Sequence, residues 1–306
     1  GLEGHVVSEL GGADAVLGRL VVKAGPAREA AWAQNSWLDP EIVEYSSVKD
    51  AARKLRAVQR NWAPYSFALH RRTALVAEAL PPLPSKPRPF PSALPTAPMG
   101  GFALLDERRL LMSPRTSSPF AHGEINLEED RVNPPSRAYL KLEEALTILG
   151  TAPAPGESCL DAGASPGGWT WVLRRLGARV TAIDRSELSP SLMSDPEVRF
   201  VKHSAFTLKP EELGRMDWVF SDLICYPDKL LEWVRGWLDS GLCGNFACTV
   251  KMQGEPDWRT MSELRSIDGS RLLHLSNNKH ELTWMRLEPA RRDDFARRPA
   301  PGTTAS

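Results

Sequence analysis

Three glycines followed at a fixed distance by an aspartate are the residues of this chain whose types and spacing could do chemistry. In CLDAGASPGGWTWVLRRLGARVTAIDRS, residues 159–186, a short apolar run ends at Asp161 and Ala162, and Gly163, Gly167 and Gly168 break it. Glycines let the backbone come close to a ligand, and an acidic side chain about 20 positions further on can accept hydrogen bonds from ribose hydroxyls. Asp184 stands at that distance from Gly163. The order GASPGG differs from GxGxxG, and Pro166 stiffens the turn. It therefore suits a nucleoside that carries no phosphate, of which S-adenosylmethionine is one; a generic strand-to-helix turn is the plainer alternative. Four ionisable residues, Lys141, Asp222, Lys251 and Glu281, fall where predicted strands or helices meet the same crevice.

The elements that must hold these residues are legible in the pattern. Trp169–Leu176 has helical spacing and Gly177 ends it, while Arg179–Ile183 alternates like a buried strand and delivers Asp184 at its end. Upstream, SRAYLKLEEALTIL predicts a helix over 136–149 with Ser136 as N-cap and Gly150 as stop. Further strands are predicted at 198–201, 218–222, 246–251, 272–275 and 282–287, with helices between several of them. Such alternation implies an α/β class with a doubly wound sheet. The closeness of the last two strands implies an antiparallel hairpin at its edge.

The front of the chain is organised differently. Residues 80–99 hold eight prolines in twenty positions, which excludes helix or central strand and predicts an extended connector. The expected order is a module over 1–79, the connector with a hairpin over 80–130, a catalytic domain over 131–290 and a disordered tail over 291–306. In the first module, 5–10 and 19–23 read as short helix or strand pieces. Over 47–62, Val48, Ala52, Leu55, Val58 and Trp62 form an apolar stripe, and Lys49, Arg53, Arg56 and Arg60 recur on another face. Trp62, Tyr65 and Phe67 stand close by, so this basic helix is either an RNA-contacting surface or an ordinary solvated face.

Composition narrows the classes. With 38 basic and 38 acidic residues in 306, a nucleic-acid partner must be met by a local patch and not by a global field. No run reaches the roughly 18 apolar residues of a membrane span, and no leader pattern opens the chain, so a cytoplasmic protein without a membrane partner is expected. Cys159, Cys225, Cys243 and Cys248 lack the paired spacing of a zinc site; neither metal nor disulfide is expected. A monomer is compatible with all of this.

Taken together, SRAYLKLEEA, DAGASPGGWT, SDL, VKMQGE and a glutamate between the last two strands resemble the FtsJ/RrmJ superfamily of RNA ribose 2′-O-methyltransferases. PPSRAYLKLEEAL joined to CLDAGASPGGWTWVL is most similar to its RlmM type, which acts on a cytidine ribose of large-subunit ribosomal RNA. The resemblance covers residues 131–288 and implies a Rossmann-like methyltransferase fold, mostly parallel and seven-stranded with an antiparallel last strand, beside a small N-terminal α+β domain.

It also implies the roles. S-adenosylmethionine would be held by Asp161, Gly163, Ala164, Ser165, Pro166, Gly168, Trp169, Asp184, Ser204 and Asp222. Ser204 stands where such enzymes commonly carry an aspartate near the adenine, and Phe206 would line that pocket. A ribose hydroxyl is a poor nucleophile until a base takes its proton or a cation steadies the alkoxide, and a lysine can do either. Lys251 is assigned the proton, Asp222 its orientation, Lys141 the ribose oxygen or an adjacent phosphate, and Glu281 the placement of the lysines. Arg137, with the basic helix, is expected to touch RNA. RlmM-type enzymes carry a larger RNA-binding front end with a THUMP domain, whereas about 130 residues precede the match here. The rival readings are methylation of transfer RNA, capped RNA or a hydroxylated metabolite, and a silent RNA-binding protein that kept the fold.

Overall fold

Strands buried on both faces read as continuous apolar runs, and those predicted after residue 157 assemble into one sheet. The computed structural model describes residues 1–26 and 28–292. It divides into two units, Gly1–Arg88 with Leu94–Asn126, and Pro89–Ala93 with the chain from Leu127 on.

The first unit contains α1 (Leu2–Glu9), a hairpin of β1 (Ala15–Leu17) and β2 (Leu20–Val22), and then β3 (Glu41–Glu44), α2 (Val48–Val58), β4 (Trp62–Pro64), α3 (His70–Glu78), β5 (Gly100–Leu104) and β6 (Arg109–Ser113). Its four-stranded sheet has the order β3-β6-β5-β4, with β4 parallel to β5 and the other pairs antiparallel. Ala52 and Leu55 of α2 and Val76 of α3 join Phe102, Leu104, Leu110 and Met112 in one buried cluster. This corrects the expected division. The hairpin assigned to a connector supplies the two central strands of the first unit, because its alternating apolar side chains need the helices for cover. The unit therefore extends to Asn126 instead of ending at residue 79.

α2 starts where the sequence implies, its Ser47 hydroxyl accepting the Asp50 amide at 3.2 Å, a cap worth about 1 kcal/mol. It ends at Val58, four residues short of the expected stop. Trp62, read as the last residue of the helical stripe, opens β4 and donates its indole N–H to the Leu55 carbonyl at 2.9 Å.

The second unit runs α4 (Tyr139–Leu149), β7 (Ser158–Ala162), α5 (Gly168–Arg175), β8 (Arg179–Asp184), α6 (Pro190–Met193), β9 (Val198–Lys202), α7 (Pro210–Leu213), β10 (Trp218–Ser221), α8 (Pro227–Ser240), β11 (Phe246–Lys251), α9 (Trp258–Ser266), β12 (Ser270–Leu273) and β13 (Glu281–Arg286). The sheet order is β12-β13-β11-β10-β7-β8-β9. Strands β7 to β11 are mutually parallel, and β13 inserts antiparallel between β11 and β12, as expected for the methyltransferase fold. On one face α4 and α5 bury Leu142, Leu146, Val172 and Leu173 against Val180, Trp218, Phe220 and Met285. On the other, the Trp284 indole donates to the Leu264 carbonyl of α9 at 3.0 Å.

Two further expectations change. Ser136 does not cap α4, which begins at Tyr139 after a turn; its hydroxyl is buried and carries no hydrogen bond. Gly150 does end the helix in the left-handed region, at φ 69°. Of the tail expected to be disordered, Arg291 and Arg292 are ordered: Arg291 pairs with Glu157 and lies over the Trp218 ring at 4.9 Å, and Arg292 meets Asp268 at 2.8 Å. Residues 293–306 lie outside the described residues. No helix among the described residues is long and apolar enough to cross a membrane.

Candidate active site

The glycine turn forms at the carboxyl end of β7, where the backbone leaves the sheet beside β8 and enters α5. Gly163 donates its N–H to the Ile183 carbonyl at 2.9 Å with φ 81°, a conformation that costs a side chain dearly. A Cβ at this position would sit 2.9 Å from Leu223 Cδ2. Glycine is thus required by the turn and by Leu223 before any ligand is considered. Gly168 has another reason: a Cβ there would lie 2.5 Å from Ser136 Oγ, so its absence lets the chain before α4 approach α5.

Asp184 ties this turn to the end of β8. Its Oδ2 accepts the Ser165 amide at 3.0 Å and its Oδ1 the Ser186 amide at 2.9 Å, while the Ser165 hydroxyl donates to the Glu187 carbonyl at 2.9 Å. The Asp184 carbonyl accepts the His203 amide at 3.0 Å, which brings Ser204 to the same sheet end. Phe206, partly exposed, stands edge-on to Trp233 at 6.1 Å. Ala164 is buried and Pro166 exposed in the turn. Trp169 is 3% exposed, donates its indole N–H to the Ala138 carbonyl at 2.9 Å and packs edge-on to Phe220. The side chain braces α5 in the core, so contact with a ligand at this position falls to the main chain at the start of the helix.

The electrostatics of the turn select the class of ligand. Asp161 is fully buried, with one oxygen accepting the Thr170 hydroxyl at 2.6 Å and the other, Oδ1, without a hydrogen-bond partner. Burial first, then the charges of Asp222 and Asp184, push its carboxyl up to about 7. Asp184 places a carboxylate at the turn, which disfavours a phosphate there and suits ribose hydroxyls. S-adenosylmethionine, with an ammonium, a sulfonium and no phosphate, fits this turn.

Four strand or helix ends bring the ionisable residues together. Lys141 in the first turn of α4 reaches Asp222 Oδ2 at 3.0 Å and Glu281 Oε1 at 2.9 Å. Lys251, the last residue of β11, lies 3.1 Å from Asp222 Oδ1 and donates to the Asp222 carbonyl at 2.7 Å. Asp222 follows β10, and its N–H donates to Ala162 at 3.2 Å, which seats it beside the glycine turn. Burial opposes the Lys141 ammonium, but Asp222 and Glu281 outweigh it and raise its pKa above the usual lysine value. Lys141 is therefore a fixed positive charge. Among the described residues no group of three or more His, Cys, Asp or Glu side chains is placed to hold a metal, and the four cysteines are free thiols.

One residue escaped the sequence reading. Glu144, one turn after Lys141 and buried, accepts the Ser276 amide at 2.7 Å, the Asn277 amide at 3.0 Å and the Asn277 side-chain N–H at 2.8 Å. It fastens α4 to the loop that leads into Glu281. Its only signal was an acidic residue on what periodicity makes the core side of the helix. The predicted RNA-contacting residues are all exposed: Lys49, Arg53 and Arg56 on α2, Arg60 beyond its end, and Arg137 before α4. Arg53 meets Asp50 at 2.5 Å, and Arg137 shares Glu129 with Arg131 at 2.8 and 2.9 Å.

Residues 134–275 match the FtsJ-like methyltransferase family. The match holds Lys141, Asp222 and Lys251 and stops before Glu281. The chain is similar to proteins described as ribosomal RNA large subunit methyltransferase M. That of Alkalilimnicola ehrlichii is 38% identical over 169 residues, 51% of this chain and 46% of the relative. That of Halorhodospira halophila is 44% identical over 109 residues, 35% and 32%, and that of Xylella fastidiosa strain 9a5c 40% over 130 residues, 40% and 36%. The match thus spans less than half the length of each of these relatives.

Proposed function

We infer, from the match of residues 134–275 to the FtsJ-like methyltransferase family, that this protein methylates a ribose 2′-hydroxyl of RNA, with S-adenosylmethionine as donor and large-subunit ribosomal RNA as substrate. The observation that carries the reading is the meeting of Lys141, Asp222, Lys251 and Glu281 within hydrogen-bond distance beside the glycine turn.

When bound, the donor supplies a methyl group on a positive sulfur, which leaves as a neutral thioether. The chain's own residues prepare the acceptor. Lys141, pinned by two carboxylates, keeps its proton and steadies the negative charge that grows on the ribose oxygen. Lys251, held by one carboxylate oxygen and one carbonyl, gives up its own proton to solvent before the step and then, as the free amine, takes the hydroxyl proton at Nζ as oxygen bonds to the methyl carbon. Asp222 aims both lysine nitrogens, and Glu281 balances the charge of Lys141. A positioned general base of this kind contributes about 10²- to 10⁴-fold. Arg137 and the basic face of α2 are assigned to the phosphate backbone.

The test is transfer of labelled methyl from S-adenosylmethionine to total RNA, followed by mapping of ribose methylation. A single labelled 2′-oxygen in large-subunit ribosomal RNA is expected. Label in another RNA would move the substrate and keep the chemistry. No label in any cellular RNA would overturn the reading and leave a binding protein with a methyltransferase fold.

A further inference from the structure

The loop that follows Asp222 has two faces, and only one is used by the site just described. Leu223 turns inward, its side chain lying where a Cβ on Gly163 would be. Cys225 is half-buried; burial pushes its thiol up to about 11, and the Lys251 ammonium is close enough to pull the other way. Between and after them, Ile224 is 80% exposed and Tyr226 60%. Inward and outward residues thus alternate over 223–226. The outward pair stands two and four residues from the aspartate that holds both lysines.

Large apolar side chains this exposed mark interaction surfaces when packing does not explain them. Packing does not explain these. Tyr226 precedes α8 with an extended backbone, φ −68° and ψ 146°, and gives that helix no side-chain cap. Pro227 at the first position needs no N–H partner and secures the helix start on its own. The loop is seated by Leu223, by the Asp222 amide on Ala162 and by the Lys251 ammonium on the Asp222 carbonyl. Ile224 and Tyr226 can therefore change without unseating it.

We propose that Ile224 and Tyr226 form the platform on which the unpaired base of the target nucleoside rests while its ribose reaches Lys251. This rests on the reading of the tetrad as a ribose methyl-transfer site. A base is joined directly to the ribose that must enter, so the surface bordering Asp222 and Lys251 meets it first. An aromatic ring beside a branched apolar side chain offers stacking, which every base accepts and which is largely indifferent to sequence. The platform selects for single-stranded nucleotides, because a base paired in a helix cannot present a face to it.

The experiment compares the 306-residue chain with Tyr226→Ala, Tyr226→Phe and the double variant Ile224→Ser/Tyr226→Ala in methyl transfer to ribosomal RNA. Calorimetry with S-adenosylmethionine and circular dichroism accompany the kinetics. Loss of one stacking contact should raise KM for RNA about 5- to 150-fold in Tyr226→Ala, more in the double variant, and little in Tyr226→Phe. Affinity for S-adenosylmethionine should stay at the wild-type value, which a merely structural role for the loop would not allow. Wild-type KM and kcat in the double variant would overturn the platform and leave the methyl-transfer reading intact. Absence of transfer by the wild-type protein would remove that reading and the platform with it. A wild-type dimer that the double variant dissolves, without change in KM, would assign the pair to a subunit contact and also overturn it.

Discussion

Lys251 and Glu281 are Cα partners across the antiparallel pairing of β11 and β13, yet their side chains serve different neighbours. Lys251 reaches Asp222 and Glu281 reaches Lys141, which itself pairs with Asp222, so the two lysines meet at one aspartate. A shift of one residue in that pairing would turn either side chain to the other face of the sheet. The register therefore sets which lysine carries two carboxylates and which carries one.

That asymmetry predicts unequal losses. Lys251→Ala should lower single-turnover methyl transfer about 10²- to 10⁴-fold, or about 3 to 5 kcal/mol in the barrier, with little change in cofactor affinity. Lys141→Ala should lose less, because it removes a charge and not the proton acceptor. Wild-type transfer by Lys251→Ala would sink the assignment.

Asp184 has two tasks, and they separate by substitution. Asp184→Ala removes an acceptor for ribose hydroxyls and releases the Ser165 and Ser186 amides, so affinity for S-adenosylmethionine should fall at least about tenfold. Asp184→Asn, which keeps one acceptor oxygen for an amide, should fall less. Titration calorimetry reading equal affinity in all three proteins would assign the ribose to another residue.

Glu144 should act on Glu281 from a distance through the loop that it fastens. Glu144→Ala leaves the Ser276 and Asn277 amides without their buried acceptor, a loss of about 1 to 3 kcal/mol in stability. Its kcat should drop while KM for S-adenosylmethionine holds, since the glycine turn is untouched, and Glu144→Gln should recover part of the rate. Unchanged kcat in a destabilised Glu144→Ala protein would confine the residue to folding.

The exposed basic face of α2 predicts a salt effect and no cofactor effect. Each phosphate contact on a single strand contributes about 0.7 to the dependence of log affinity on log salt. Arg53→Ala/Arg56→Ala/Arg60→Ala should lower that slope by up to roughly 2, measured by fluorescence anisotropy of a labelled RNA. An identical slope would make the helix an ordinary solvated face.

A pH effect on stability follows from Glu143. Burial pushes its carboxyl from the ordinary 4.5 up to about 7, although Arg175 lies 3.2 Å away and opposes the shift. Between these values the folded chain holds a proton that the unfolded chain releases, so stability falls as pH rises through the window. The loss is complete above about 7. Glu143→Gln, which cannot ionise, should be more stable than wild type at pH 8 by on the order of 1 to 3 kcal/mol and should show no such gain at pH 4.5. Thermal melts that run parallel at both pH values would contradict this.

The amino-acid sequence by itself determined the second unit in most of its particulars. Apolar runs ending in Asp161, Asp184, Asp222 and Lys251 could only be strands of a covered parallel sheet, and parallel strands deliver their carboxyl ends to one crevice. Local pattern is enough for that, because the side chains concerned are close in sequence to the strands that carry them.

Tertiary structure decided what periodicity cannot express, namely which surface covers which. Trp62 continues a helical stripe in sequence but turns into β4, because its indole finds the Leu55 carbonyl and its ring the space over the sheet of the first unit. Trp169 stands in a ligand-binding motif and faces the core, since α5 must be locked to the chain before α4. The proline run reads as a divider, yet the hairpin beyond it belongs to the first sheet. Glu144 looked like one more charge on a helix until the amides of residues 276 and 277 came to it from 132 and 133 positions away. A sequence records which side of an element is apolar; only the packed chain supplies the partner, and a buried carboxylate has a role only once its partner is in place.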